Sequence, residues 1–108
     1  MTAILRIIDN PAPGRTPRVT PDGVEPGDMW RCPEGDVPGR ECWCIALPEH
    51  SGVWRTTESV AGETAPGWGV SGDPPLITVT PSIDASARFN DGSVRGWHGF
   101  ITNGVMTP

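Results

Sequence analysis

Wherever three apolar residues of this chain fall at helical spacing, a Gly or a Pro interrupts them. Proline removes an amide donor and clashes with the preceding turn, and glycine adds backbone entropy, so no window reads as a stable helix. What survives between the interruptions is a set of short β-branched and aromatic runs, the material of strands. The clearest lies at 97–105, W-H-G-F-I-T-N-G-V. Asn103-Gly104 is the pair that a tight type I′ turn requires, because both central residues take φ > 0. Its leading flank alternates as a half-buried strand does. Trp97, Gly99 and Ile101 fall on one side, and His98, Phe100 and Thr102 on the other.

The expected fold is therefore mainly β: a small, single-domain, loop-rich antiparallel sheet with little or no helix. A chain of 108 residues supplies one modest core. Glycine and proline make up 14 and 13 of those residues, a proportion that borders on low complexity. Five tryptophans oppose that reading, since disordered tracts seldom carry so many large apolar groups.

Two segments are expected, an N-terminal strand with an extended arm over 1–27 and a small β domain over 28–108. Ala3–Ile8 reads as the first strand. From Asn10 to Gly27 the chain holds five prolines and three glycines, which favours an extended, polyproline-like arm. Such an arm is ordered only if it lies on something, either its own domain or a neighbouring subunit. Val19 and Val24 are its only aliphatic residues larger than Ala, and they are the expected partner contacts. Further strands are expected at Asp28–Cys32, Cys42–Leu47, Val53–Thr57, Trp68–Ser71 and Leu76–Thr80. Pro81 would close the last of these or place it at an edge. Cys42–Leu47 alternates cleanly, with Trp43, Ile45 and Leu47 on one side and Cys42, Cys44 and Ala46 on the other. Asp91-Gly92 marks a second turn.

Net charge is −5, there is no Lys, and the eight Arg are scattered. Nucleic-acid binding, which needs a basic stripe to displace counterions, is not expected. No apolar run approaches the about 18 residues that a membrane span requires. The N-terminus is interrupted by Arg6 and lacks a small-residue cleavage site, so it does not read as a secretion signal. No small-molecule substrate is indicated.

Three cysteines are too few and too odd in number for a disulfide framework, and clustered thiols in a reducing compartment more often hold metal. Cys32, Cys42, Cys44 and His98 offer four ligands of the kind and number a closed tetrahedral zinc site uses. The C-x9-C-x-C spacing is unlike a pair of C-x2-C knuckles, and the competing reading is three reduced thiols in the core. His50 lies beside a turn and is expected to be exposed, though it could replace one Cys. The tryptophans are expected mainly as core. Trp97, between Gly96 and Gly99, is the best placed of them to meet a partner's backbone. For nucleophilic catalysis the chain offers Ser82, His98 and several Asp, but no G-x-S-x-G context of a nucleophile elbow, and Cys44 with His98 has the right atoms only as any Cys near any His does.

Four stretches in order carry a family resemblance: W-x-C-P at 30–33, the thiols at 42–44, T-V-T-P-S-I at 78–83, and W-H-G-F-I-T-N-G-V at 97–105. They resemble a family of small phage, prophage and bacterial proteins without an assigned activity. Members of that family carry a C-P-x-x-C knuckle, a T-[FL]-[ST]-P-S-[IVL] segment and a C-H-[SG]-[FW]-[IV]-x-[DN]-G hairpin. The resemblance implies a zinc-stabilised β fold in which Cys32 and His98 are ligand positions, with Cys42 or Cys44 as the second knuckle thiol. Trp97 stands where the family has Cys, and the knuckle loop is longer. Either a ligand has been lost, or the extra thiol of the Cys42/Cys44 pair replaces it.

The functional expectation is a non-enzymatic phage-type structural or interaction protein, in the virion or the host cytoplasm, which binds a protein partner or assembles with itself. The alternatives are an accessory protein binding a host factor and a small metal-dependent hydrolase.

Overall fold

A computed structural model describes residues 2–15, 17–58, 67–85, 87–88 and 90–108. The fold is mainly β, with a single 3-10 turn at Pro33–Gly35 in place of any helix among the described residues. The strands are β1 (Ala3–Ile4), β2 (Arg6–Ile7), β3 (Asp28–Arg31), β4 (Trp43–Ala46), β5 (Val53–Arg55), β6 (Gly69–Ser71), β7 (Thr78–Asp84), β8 (Ala87–Arg88), β9 (Val94–Arg95), β10 (His98–Thr102) and β11 (Val105–Thr107). They form two sheets rather than one. Five strands take the order β1-β11-β10-β7-β6, four take β2-β3-β4-β5, and β8-β9 make a separate hairpin. Every pairing is antiparallel except β2 with β3.

The expected first strand divides between these sheets. Ala3 and Ile4 pair with β11, whereas Arg6 and Ile7 pair with β3. Leu5 is the crossing point. Its amide donates to the Gly104 carbonyl at 2.9 Å, and its side chain is buried between the sheets. Burial of that one side chain leaves Ile4 and Ile7 exposed on either side of it.

The main core forms where the sheets meet, with Met29, Ile45 and Trp54 from one and Val79, Ile101 and Met106 from the other. The β10–β11 hairpin is as its sequence reads: Asn103 has φ 47° and Gly104 φ 80°, and Ile101 is buried while Phe100 and Thr102 are exposed. The Asp91-Gly92 turn joins β8 to β9, with the Ser93 amide donating to the Asp91 carboxylate at 2.8 Å.

Pro81 does not end its strand, and β7 is central, lying between β6 and β10. Opposite it the register shifts, because Ile83 pairs with Gly99 but Val79 pairs with Ile101. Residues 80–82 thus face Phe100 alone, a bulge in which a missing amide donor removes no ladder bond. Pro81 also lies beyond the last β6 pair, Gly69 with Thr80.

The four-stranded sheet is covered on both faces. Along β4 the two sides separate as its alternation predicts: Ile45 and Leu47 enter the main core, and Cys44 and Ala46 enter a second cluster with Trp30, Cys32, Cys42 and Val53. Ile8 and Val24 close that second cluster. The Pro/Gly-rich arm therefore lies on its own domain. The Val53 amide donates to the Arg18 carbonyl at 3.0 Å, the Asn10 side chain donates to the Arg31 carbonyl at 3.0 Å, and Arg18 pairs with Glu58 at 2.7 Å. Of its two valines, Val24 is half-buried against this cluster and Val19 is 80% exposed.

Trp97 is a core residue, not a surface contact, at 1% exposure. The neighbouring glycine serves this chain's own ring. A Cβ at Gly99 would run into the Thr107 carbonyl oxygen and stand 2.5 Å from the indole Cζ2 of Trp97, so Gly99 makes room for this chain's own neighbouring strand and ring rather than for a partner. The other tryptophans are also packed. Trp30 fills the second cluster, while Trp54 meets Trp68 edge to face at 5.6 Å.

Candidate metal centre

The spacing of the three cysteines becomes intelligible once β3 and β4 are paired. Trp30 lies opposite Cys44 and Arg31 opposite Trp43, and the Cys32 amide donates to the Cys42 carbonyl at 3.1 Å. Pairing of 30 with 44 sets 32 against 42, and side chains two residues apart share a face. All three thiols therefore point to one side. Their sulfurs lie within 4.8 Å of one another, and all three residues are fully buried. A nine-residue loop, too long for a knuckle, returns the chain at the right register.

Several contacts fix that loop. The Gly35 amide donates to the Cys32 carbonyl at 2.9 Å, closing the turn that follows Cys32. Arg31 donates to both oxygens of Asp36, at 2.8 and 3.1 Å, and to the Cys42 carbonyl at 2.8 Å. Asp36 in turn accepts the Cys42 amide at 2.7 Å. The Thr57 hydroxyl donates to the Gly35 carbonyl at 2.7 Å and ties the loop to the end of β5.

The electrostatics separate the thiols. Cys42 is pulled below the ordinary thiol range, first by the hydrogen bond from Cys44 and then, against burial, by Thr57. Cys44 is pushed up, mainly because it donates to Cys42 and also because it is buried. Cys32 is pushed up by burial. Arg55, opposite Cys44 across the β4–β5 pair, favours the thiolate at Cys32 and Cys42. These effects favour the thiolate at Cys42 over the other two, and a bound cation would favour it at all three.

These residues suit a thiophilic ion. Zinc–sulfur bonds of about 2.3 Å in a tetrahedron place sulfurs about 3.8 Å apart, a spacing compatible with three sulfurs that all lie within 4.8 Å of one another. The chain could hold such an ion with Cys32, Cys42 and Cys44.

His98 does not join them. It lies on β10 in the other sheet, exposed, paired in register with Asp84, and its Nε2 is 3.0 Å from the Ser82 hydroxyl. The alternation that places Trp97 and Ile101 in the core turns His98 outward, away from the second cluster. His50 is exposed in the turn after Pro48, with φ 57°. Sequence reasoning passed over Glu34, whose carboxylate lies 3.9 Å from the Cys32 sulfur. Its signal was adjacency: a carboxylate two residues after a candidate ligand, on a turn that Pro33 begins.

No family model, curated protein or solved structure matches this chain. Among the described residues, no helix is long and apolar enough to cross a membrane.

Proposed function

We propose that this chain is a zinc-stapled β module that works by binding a protein partner and has no catalytic role. The convergence of three buried thiols carries the reading. Each donor is fully buried, and Ile8 and Val24 pack over the cluster that contains them. A hydrolytic zinc presents an open coordination position to substrate, whereas a structural zinc is enclosed by protein. Buried donors beneath the chain's own arm favour the second. The benefit to a domain of this size is direct, since metal binding free energy becomes folding free energy.

The binding half of the proposal rests on apolar side chains that stand out from the surface. Val19 is 80% exposed on the arm, and Ile4 and Phe100 are 75% and 50% exposed on the five-stranded sheet. A phage origin, suggested by the motif resemblance, would make this partner a virion or host protein.

Elemental analysis of protein purified without chelator tests the metal. The expected result is close to one zinc per chain, with a fall in melting temperature on chelation. Folded protein that contains no zinc and takes up none would overturn the reading.

A further inference from the structure

Three thiolates leave a tetrahedral ion one position short, and His98 is on the wrong sheet to fill it. We propose that the Glu34 carboxylate is the fourth ligand, which makes the centre a three-thiolate, one-carboxylate site. This inference rests on the metal reading above and adds the identity of the remaining donor.

The geometry points to Glu34 over its rivals. Zinc–oxygen and zinc–sulfur bonds of about 2.0 and 2.3 Å place oxygen and sulfur about 3.5 Å apart in a tetrahedron. The observed separation of Glu34 Oε2 from Cys32 Sγ is 3.9 Å, while the carboxylate stands outside the 4.8 Å grouping of the three sulfurs, so a rotation of its exposed side chain is needed to bring it onto the ion. Glu34 is exposed, and it enters no ion pair among the described residues, so nothing else claims its carboxylate. The backbone beneath it is fixed by the Cys32–Gly35 turn and by the Asp36 amide, which donates to the Pro33 carbonyl at 3.1 Å. Two other oxygens are near. The Arg15 carbonyl lies 3.4 Å from the Cys32 sulfur, and the Thr57 hydroxyl is engaged with the Gly35 carbonyl. Both are neutral, and a divalent ion in an otherwise apolar cluster favours the anionic donor.

Charge sets a further condition. Three thiolates and a carboxylate around a divalent ion leave a surplus of negative charge. Arg55, 26% exposed and set across from Cys44, lies on the side that offsets it. Glu34 is exposed, so its carboxylate would cap the three buried thiolates from the solvent side and complete the closed site.

Cobalt(II) titration of the full chain tests this, because its charge-transfer bands report thiolate ligation and its d–d bands report the complete donor set. The proteins compared are wild type, Glu34→Gln, Glu41→Gln and His98→Gln. The expected result is tetrahedral thiolate spectra throughout, with Co(II) affinity lowered about tenfold or more and d–d bands displaced in Glu34→Gln alone. Wild-type affinity and d–d bands in Glu34→Gln would overturn the assignment while leaving the three-thiolate site intact. The same loss in His98→Gln would hand the position to the histidine. No thiolate charge transfer in wild type would instead remove the metal reading itself.

Discussion

A Cβ placed on Gly35 would stand 2.6 Å from the sulfur of Cys42 and 3.1 Å from its Cβ. The turn after Cys32 thus passes so close to Cys42 that only a hydrogen fits between them. Gly35→Ala should displace the Cys42 thiol or the turn, at a cost of about 1–3 kcal/mol, the range for overpacking a filled site. It should also weaken cobalt binding, because Cys42 is a proposed ligand. Chemical denaturation and a Co(II) titration check both halves. Unchanged values in both would mean that the turn does not press on the thiol cluster.

Glycine is required for a different reason at the hairpin. Gly104 has φ +80°, and a Cβ there would meet the Pro75 carbonyl oxygen at 2.8 Å and Leu76 Cδ2 at 3.2 Å. Gly104→Val combines a left-handed conformation with a collision, and should destabilise by about 2 kcal/mol or more. Asn103→Gly relieves the only non-glycine residue of that turn and should cost far less. Thermal melts of the two variants separate the outcomes, and equal melting points would place the constraint elsewhere.

Acid should act on Asp36. Its carboxyl is held below the ordinary value by the hydrogen bond from Arg31 and then by the Cys42 amide. A depressed carboxyl contributes stability that is fully present above its unfolded pKa of about 3.9 and is lost as pH falls through the lower folded value. Asp36→Asn removes that contribution at neutral pH and has none to lose in acid. The fall in melting temperature between pH 7 and pH 3 should therefore be smaller in the variant than in wild type. Identical falls would show that this carboxylate is not coupled to folding.

How far the sequence revealed this arrangement depended on the reach of each signal. Period-two alternation is local, and it placed Cys42 and Cys44 on the face opposite Ile45 and placed Ile101 in the core. Turn chemistry is also local, and Asn103-Gly104 turns where it should. Sheet membership is not local. Nothing in Ala3–Ile8 states that Ile4 and Arg6 join different sheets, because the division depends on Leu5 finding a core made by residues far along the chain. His98 was grouped with the thiols on ligand chemistry and on the motif resemblance, and only the pairing of β10 with β7 separates them. Pro81 misled in the same way, since a bulge needs a partner strand before it exists.

The arm supplies the last test, because its composition argues for mobility and its contacts argue against it. Its five prolines remove donors and prevent it from joining a sheet interior, yet Arg18 offers its carbonyl to the Val53 amide at the edge of β5. Val24 adds burial on the second core, and Arg18 adds a surface ion pair with Glu58 that on its own is worth little. The hinge of this docking is Gly52, at φ +83°, where a Cβ would run into the Arg18 carbonyl oxygen. Gly52→Ala should push the arm off the sheet edge. Tryptic cleavage after Arg18 should then be slow in the free wild-type chain and at least about tenfold faster in the variant, since cleavage follows the population of the open form. The global melting temperature should fall by less than a comparable loss of core packing would cause. Rapid cleavage after Arg18 in wild type would mean that the arm is undocked in the isolated chain and takes its order from a partner.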